Sequence, residues 1–167
     1  MRRRPRVSYA RLCELLEYDS ATGDFRWLKR INRSIHVDDV AGTLETGGYR
    51  RITIKGRTYG AHQLAWFYVT GKWRSGLIDH RDGDRSNNRW DNLRRATGSQ
   101  NSANRRRHRN NKSGFKGVMQ TESGRWRAGI HKNGRNQHLG IFATPQEAHA
   151  AYVAAARELF GEFARAE

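Results

Sequence analysis

The sequence predicts an α+β fold made of short antiparallel strands and a few helices. Three patterns carry this expectation: leucines at helical spacing near the N-terminus, two-residue alternation broken by Gly-containing turns, and an Ala-rich C-terminal stretch opened by a capping signal. Residues Tyr9 to Tyr18 place Leu12, Leu15 and Leu16 on one helical face, with Ser8 as N-cap. The segment DSATGD from Asp19 to Asp24 reads as a turn. Phe25-Arg-Trp-Leu alternates as a strand, and GGYRRITIKGRTYGAH alternates around Tyr49, Ile52 and Ile54 with Lys55-Gly56 as a hairpin turn. The dense apolar run from His62 to Val69, stopped by Thr70-Gly71, reads as a buried helix.

Beyond Asn110 the pattern repeats with different spacing. FKGVMQ, GRWRAGIHKNG and NQHLGIF read as three strands separated by Ser123-Gly124 and Asn133-Gly134 turns. Thr144-Pro-Gln-Glu147 then combines an N-cap, Pro in the first turn and an acid at the third position, and the helix stops at Gly161. Ala148, Ala151, Tyr152, Ala155 and Leu159 lie three or four apart, a small-residue face suited to close packing on a sheet.

Composition narrows the function. The 167 residues include 32 Lys plus Arg against 16 Asp plus Glu, a formal charge of +16. Self-repulsion of that size is relieved by a polyanion, which points to nucleic acid, DNA or RNA, before any other partner. No apolar run approaches the length of a membrane span, and MRRRPRV leads into SYARLCELLEY without a signal-peptide core, so a soluble, cytoplasmic protein is expected. The single cysteine, Cys13, excludes a disulfide framework within one chain and any CxxC-based zinc finger, and reads as a small core residue. Between Asn92 and Thr121 there is no acid, whereas Arg94, Arg95, Arg105, Arg106, Arg107, Arg109, Lys112 and Lys116 contribute eight positive charges. Such a run is either a solvated arm or a phosphate-binding surface.

The segment LIDHRDGDRSNNRWDNLRRATGSQN, from Leu77 to Asn101, holds the residues best suited to chemistry. Phosphodiester hydrolysis needs a base for water, a cation for the charge developing on the phosphate, and a group that holds the base in place. His80 suits the first task because imidazole titrates near neutral pH. Asp79 offers a hard oxygen to Mg²⁺, which retains water and needs few protein ligands. Strand alternation turns adjacent residues to opposite sides, so the pair serves one phosphate only if the strand ends or twists there. The plain alternative is a surface acid beside a strand-end histidine. His62 either faces this site or serves as a cap or core residue. Asp82, Asp84, Asn87 and Asn88 lack the terminal Glu of an EF-hand and read as turn residues bonded to their own backbone.

With HQLAW, IDHRDGDRSNNRWDNLR and SQNSANR in order, the stretch from His62 to Arg106 resembles the HNH homing-type endonucleases of phages and introns. The resemblance implies a ββα-metal (His-Me finger) fold in which a hairpin and a helix clasp one divalent cation. It implies His80 as general base, Asp79 as metal ligand, and Asn92 holding the His80 imidazole through its amide or its backbone carbonyl. Asn101 stands where many relatives carry His as second metal ligand, an H-N-N variant whose neutral amide favours Mg²⁺ or Mn²⁺ over zinc. A phage-encoded protein acting in a bacterial host is the corresponding expectation.

Ser113 to Phe163, through SGFKGVMQ, GRWRAGIHKNG, HLGIF and TPQEAHAAYVAAARELFG, resembles the AP2/ERF DNA-binding domain. That likeness implies a three-stranded antiparallel sheet laid in the major groove and backed by one helix. The sheet would present Lys116, Arg125 and Arg127 to DNA, with Trp126 and His138 as further candidates, Trp126 either there or packed on the helix. Met119 stands where plant members usually have Arg, and His138 where they usually have Trp, so base preference does not transfer.

Taken together, the expectation is an N-terminal helix and strands over 1–48, an HNH nuclease domain over 49–109, a linker at 110–113 and an AP2-like reader over 114–167. The expected activity is hydrolysis of double-stranded DNA by a single-metal mechanism, as a monomer on DNA or a homodimer. The alternative is a non-catalytic DNA-binding regulator.

Overall fold

The computed structural model describes residues 6–108 and 110–166; Arg109 of the basic run and the MRRRP start lie outside them. The chain divides into two compact units, Met1–Arg95 and Ala96–Glu167.

The first unit opens with α1 (Tyr9–Leu15), which the Ser8 side chain caps by accepting from the Arg11 N–H. The expected helix through Tyr18 stops three residues early. Leu16 turns extended, at φ −137°, and starts β1 (Leu16–Tyr18), which pairs antiparallel with β2 (Phe25–Trp27). In that register Tyr18 faces Phe25 and Leu16 faces Trp27, and all four are buried. β3 (Thr43–Leu44), β4 (Arg50–Ile54) and β5 (Arg57–Gly60) form a second sheet in sequential order, with Lys55-Gly56 turning the β4–β5 hairpin as expected. α2 (Ala61–Thr70) follows and ends on Gly71. β6 (Leu77–His80) and β7 (Leu93–Ala96) make a two-stranded sheet.

One apolar core joins these pieces. Leu12, Leu16, Phe25, Trp27, Ile52, Leu64, Phe67 and Leu93 belong to a single buried cluster. The expected boundary at 48/49 therefore does not divide a core: each strand pair is too small to bury its own apolar face, and the pieces share one.

The second unit starts with α3 (Gly98–Ala103), whose Thr97 cap and Gln100 side chain form a reciprocal capping box. β8 (Val118–Gln120), β9 (Trp126–Lys132) and β10 (Arg135–Phe142) form an antiparallel sheet in the order β10-β9-β8, with a register shift between His138 and Gly140. α4 (Pro145–Phe160) carries the predicted Thr144/Glu147 capping box and ends at Gly161. Ala148, Tyr152, Ala156 and Phe160 are its buried residues, so the packing stripe runs further toward the C-terminus than the alanine pattern suggested. Gly117 shows how closely this core is fitted. A Cβ there would lie 2.0 Å from Tyr152 Cδ2, so the Tyr152 ring occupies the space that any other residue would need. The expected linker is bonded into the sheet edge instead of hanging loose, because Ser113 Oγ donates to the Val118 carbonyl at 2.8 Å.

Among the described residues, no helix is long and apolar enough to cross a membrane.

Candidate functional site

β6 delivers Asp79 and His80 as its last two residues, both buried, at 5% and 4% exposure. The loop that follows is held by its own side chains. Asp82 Oδ1 accepts from the Asp84 N–H at 2.8 Å, and Asp84 Oδ1 accepts from the Ser86 N–H at 2.8 Å, the turn roles expected of these residues. A 3-10 turn at Trp90–Asn92 leads back into β7.

Asn92 closes this loop. Its Oδ1 accepts from the Asp82 N–H at 3.0 Å, and its Nδ2 donates to Asp82 Oδ1 at 3.0 Å and to the Asn87 carbonyl at 2.8 Å. Its own carbonyl accepts from the Arg81 N–H at 2.9 Å. These bonds run to the loop backbone and to Asp82, so the expected grip on the imidazole becomes a grip on the loop. The nitrogen His80 Nε2 is met instead by Asn88 Oδ1, at 3.3 Å. Asn88 is 1% exposed, and its carbonyl accepts from Tyr18 Oη at 2.7 Å. Asn88, expected as a turn residue bonded to its own backbone, does donate to the Ser86 carbonyl, but it also faces the ring. Two adjacent asparagines in SNNRW carry no local signal that tells the solvent-side one from the buried one.

His80 and His62 lie edge to face with ring centroids 5.4 Å apart, and Tyr49 sits 5.3 Å from His62 and 6.1 Å from His80. His62 is thus beside the site. Burial, then the neighbouring His80 and Arg51, pulls its pKa down to about 3. Burial also lowers the pKa of His80, against the Asn88 hydrogen bond and the charges of Asp82, Asp79 and Asp84, so the ring is held neutral near pH 7. The guanidinium groups of Arg51 and Arg85 lie 5.7 and 5.0 Å from the centre of the Tyr49 ring.

Asp79 makes an ion pair. Arg94 Nε lies 2.9 Å from Asp79 Oδ2, with each side chain 6% exposed. Arg94 was expected on the phosphate-binding surface and is buried, because its strand position turns it inward toward an acid. Adjacent residues of β6 thus meet different partners, Asp79 the guanidinium and His80 the Asn88 amide, as strand alternation requires.

Among the described residues no group of three or more His, Cys, Asp or Glu is placed to hold a metal ion. The expected pair, Asp79 in the first unit and Asn101 on α3 of the second, supplies oxygen donors only. That set fits a hard cation that keeps most of its waters and does not fit a structural zinc.

In the second unit the expected DNA-contacting residues separate by environment. Arg105, Arg106 and Arg107, after α3, are exposed. Arg125, Arg127 and His138 are exposed as well, as is Arg95 at the end of the first unit. Arg127 lies between Met119 and Ile141 in register, and both neighbours are exposed, 51% and 48%. This is the outer sheet face. Trp126 is half-buried against Val118, Ala128 and Ala148, the packing position of its two readings. Lys116 is not on the sheet face either. Its Nζ donates to the carbonyls of Ala103, Arg105 and Arg165 at 2.5, 2.7 and 3.0 Å, and burial lowers its pKa to about 8.

Comparison with known proteins bears directly on the segment just described. Residues 59–103 match the family model described as HNH endonuclease. The chain carries an HNH endonuclease domain. The matched stretch runs from β5 through α3 and contains His62, Asp79, His80, Asn88, Asn92, Arg94 and Asn101. A similar protein, named Uncharacterized HNH endonuclease L560, from Acanthamoeba polyphaga mimivirus, is 37% identical over 97 residues, 58% of this chain and 50% of the relative. The chain thus spans about half the length of that relative. A solved structure described as DNA binding and cleavage by the HNH homing endonuclease I-HmuI is 25% identical over 54% of this chain and 51% of that one, with a TM-score of 0.41.

Proposed function

We propose that this protein is a DNA endonuclease that hydrolyses phosphodiester bonds in duplex DNA. The observation that carries the reading is a buried, neutral imidazole, His80, next to a buried carboxylate, Asp79, at the end of a strand inside the segment that matches the HNH model. His80 takes the proton from the attacking water. Asn92 keeps the loop after β6 in one shape, so the base stays where β6 delivers it. The HNH resemblance assigns Asp79 and Asn101 as ligands of one divalent cation, Mg²⁺ or Mn²⁺, which when bound would neutralise charge developing on the scissile phosphate.

Affinity comes from the rest of the basic surface. Arg95, Arg105, Arg106 and Arg107 are exposed donors suited to phosphates, while Arg127 and His138 on the outer face of the β8–β10 sheet, with Arg125 exposed beside it, are suited to phosphates or base edges. An AP2/ERF-like mode, with that sheet in the major groove, assigns sequence choice to these residues. Its support is the sequence resemblance together with a three-stranded sheet that keeps one face exposed and covers the other with α4.

The test is incubation of supercoiled plasmid with the purified protein and a panel of divalent metals. Nicked or linear product that depends on metal supports the reading. Intact plasmid under every metal, at protein concentrations that retard duplex DNA, overturns it. One observation favours a second reading, a DNA-binding regulator without catalysis: the carboxylate of Asp79 is engaged by Arg94 in a buried ion pair. The same assay separates the two.

A further inference from the structure

We infer that Tyr49, Arg51 and Arg85 form a phosphate clamp on the first unit, which grips the DNA strand beside the bond to be cut and seats it against His80. This deepens the nuclease reading and rests on it for the use of the grip. It adds to the basic residues already assigned a second set of donors, placed at the reactive ring.

The turn between β3 and β4 builds the clamp. Its backbone closes on itself, the Glu45 N–H donating to the Tyr49 carbonyl at 2.9 Å and the Gly48 N–H to the Glu45 carbonyl at 2.8 Å. The same turn holds both cations. Glu45 Oε2 lies 3.0 Å from Arg51 Nε, and the Gly47 carbonyl accepts from Arg85 Nη1 at 3.1 Å, across 38 residues of chain. At its other end Arg85 is set by the loop after β6, where Asp84 Oδ1 accepts from the Ser86 N–H and hydroxyl at 2.8 and 2.7 Å. Two guanidinium groups are thereby kept at one aromatic ring, 5.7 and 5.0 Å from its centre.

Two like charges at one neutral ring repel each other, and attraction to the ring face is weak where the cation is wet. Glu45 offsets the charge of Arg51. Arg85 is exposed, meets only the neutral Gly47 carbonyl, and makes no ion pair among the described residues, so its charge stands uncompensated. The place of that charge matters. The Tyr49 ring is 6.1 Å from the His80 ring, so the Arg85 guanidinium is no further from His80 than 5.0 and 6.1 Å laid end to end. Phosphates follow one another every ~3.4 Å of rise along a strand, so the anion within reach is one of the first few flanking the cut. A planar guanidinium fork suits phosphate oxygens taken two at a time, and such contacts fix the position of the strand without reading its sequence.

Binding isotherms over a salt series, with metal-free protein and a short duplex of arbitrary sequence, test the clamp. In Arg85→Gln the log-log salt slope should fall by about 0.9, and Kd should rise about five- to tenfold near ~0.1 M salt. Arg85→Lys keeps the charge and should restore the slope. Glu45→Gln frees the charge of Arg51 and should move the other way, to a steeper slope and tighter binding. Tyr49→Leu removes the ring and no charge, so nicking of plasmid at saturating protein should slow by at least about tenfold as the strand loses its seat. An unchanged slope in Arg85→Gln overturns the inference, since a residue that only braces the turn would lower the melting temperature and leave the slope alone. Wild-type nicking in Tyr49→Leu overturns it as well. If Arg85→Gln does not fold, Glu45→Gln decides, and a slope no steeper than wild type sinks the clamp. The predicted slopes with intact plasmid under every metal would overturn the nuclease reading alone.

Discussion

Arg94 and Asp79 form an ion pair 2.9 Å long between two side chains that are each 6% exposed. Such a pair gives little net stability over apolar residues of the same size, yet losing one partner strands the other charge away from water. Arg94→Met should therefore destabilise the first unit by about 3–5 kcal/mol. Replacing both residues, Arg94→Met with Asp79→Leu, should recover most of that loss. Urea unfolding of the two variants is the measurement, and equal midpoints would show that the pair does not act as a unit.

His80→Ala should bind duplex DNA with unchanged affinity and lose cleavage, a drop of about 10²–10⁴ if the ring is the general base. Gel retardation and plasmid nicking read the two properties separately. Cleavage at the wild-type rate would remove His80 from the chemistry.

Acid should weaken the first unit through His62. Its folded pKa, about 3, lies below the ordinary 6.5, so between those values the unfolded chain binds more protons than the folded one. Stability then rises with pH across that window and is progressively lost as pH falls below 6.5 toward 3. His62→Phe should flatten the dependence. Denaturant midpoints at pH 7.5 and pH 5 are the comparison, and an equally steep slope in His62→Phe would assign the acid sensitivity elsewhere.

The two basic residues first grouped together should part company. Arg127→Ala should weaken duplex binding and reduce the log-log salt slope by about 1, the signature of one lost phosphate contact. Lys116→Met should leave that slope alone and cost about 2 kcal/mol of stability, because it removes a charged donor from three carbonyls. Binding isotherms over a salt series, set beside thermal melts, distinguish them. A reduced salt slope in Lys116→Met would return that residue to the DNA surface.

Gly23→Ala probes the support behind the loop. At φ +80° the residue is already in a backbone region that disfavours a side chain, and the added Cβ would meet the Asn88–Arg89 backbone at 2.4 Å. The variant should unfold at a lower temperature and lose kcat more than KM. Retained kcat would show that the loop tolerates displacement of this turn.

Much of the fold could be read from local signals. Thr144-Pro-Gln-Glu147 states the start of α4, and the Lys55-Gly56, Ser123-Gly124 and Asn133-Gly134 pairs mark the hairpins, because each signal is complete within four residues. The early end of α1 was hidden: Leu16 suits a helix face and a buried strand equally well. Within the candidate site, Asp79 and His80 stood out by type and adjacency. Asn88 did not, since its partners Tyr18 and His80 reach it only once the first unit has folded. Arg94 and Lys116 looked like surface cations in a basic run. What placed them was an acid on the neighbouring strand for one and the carbonyls of Ala103, Arg105 and Arg165 for the other, none of them a local signal.

The hydroxyl of Tyr18 on the Asn88 carbonyl spans 70 residues of chain. It ties the first hairpin, whose Leu16, Tyr18, Phe25 and Trp27 belong to the core of the first unit, to the loop that follows the reactive ring. Opening of the loop should then require breaking this buried bond. Amide hydrogens at Arg81, Asp82 and Asn92 should exchange with deuterium only when the whole unit comes apart, so that exchange at the loop reports global unfolding and does not precede it.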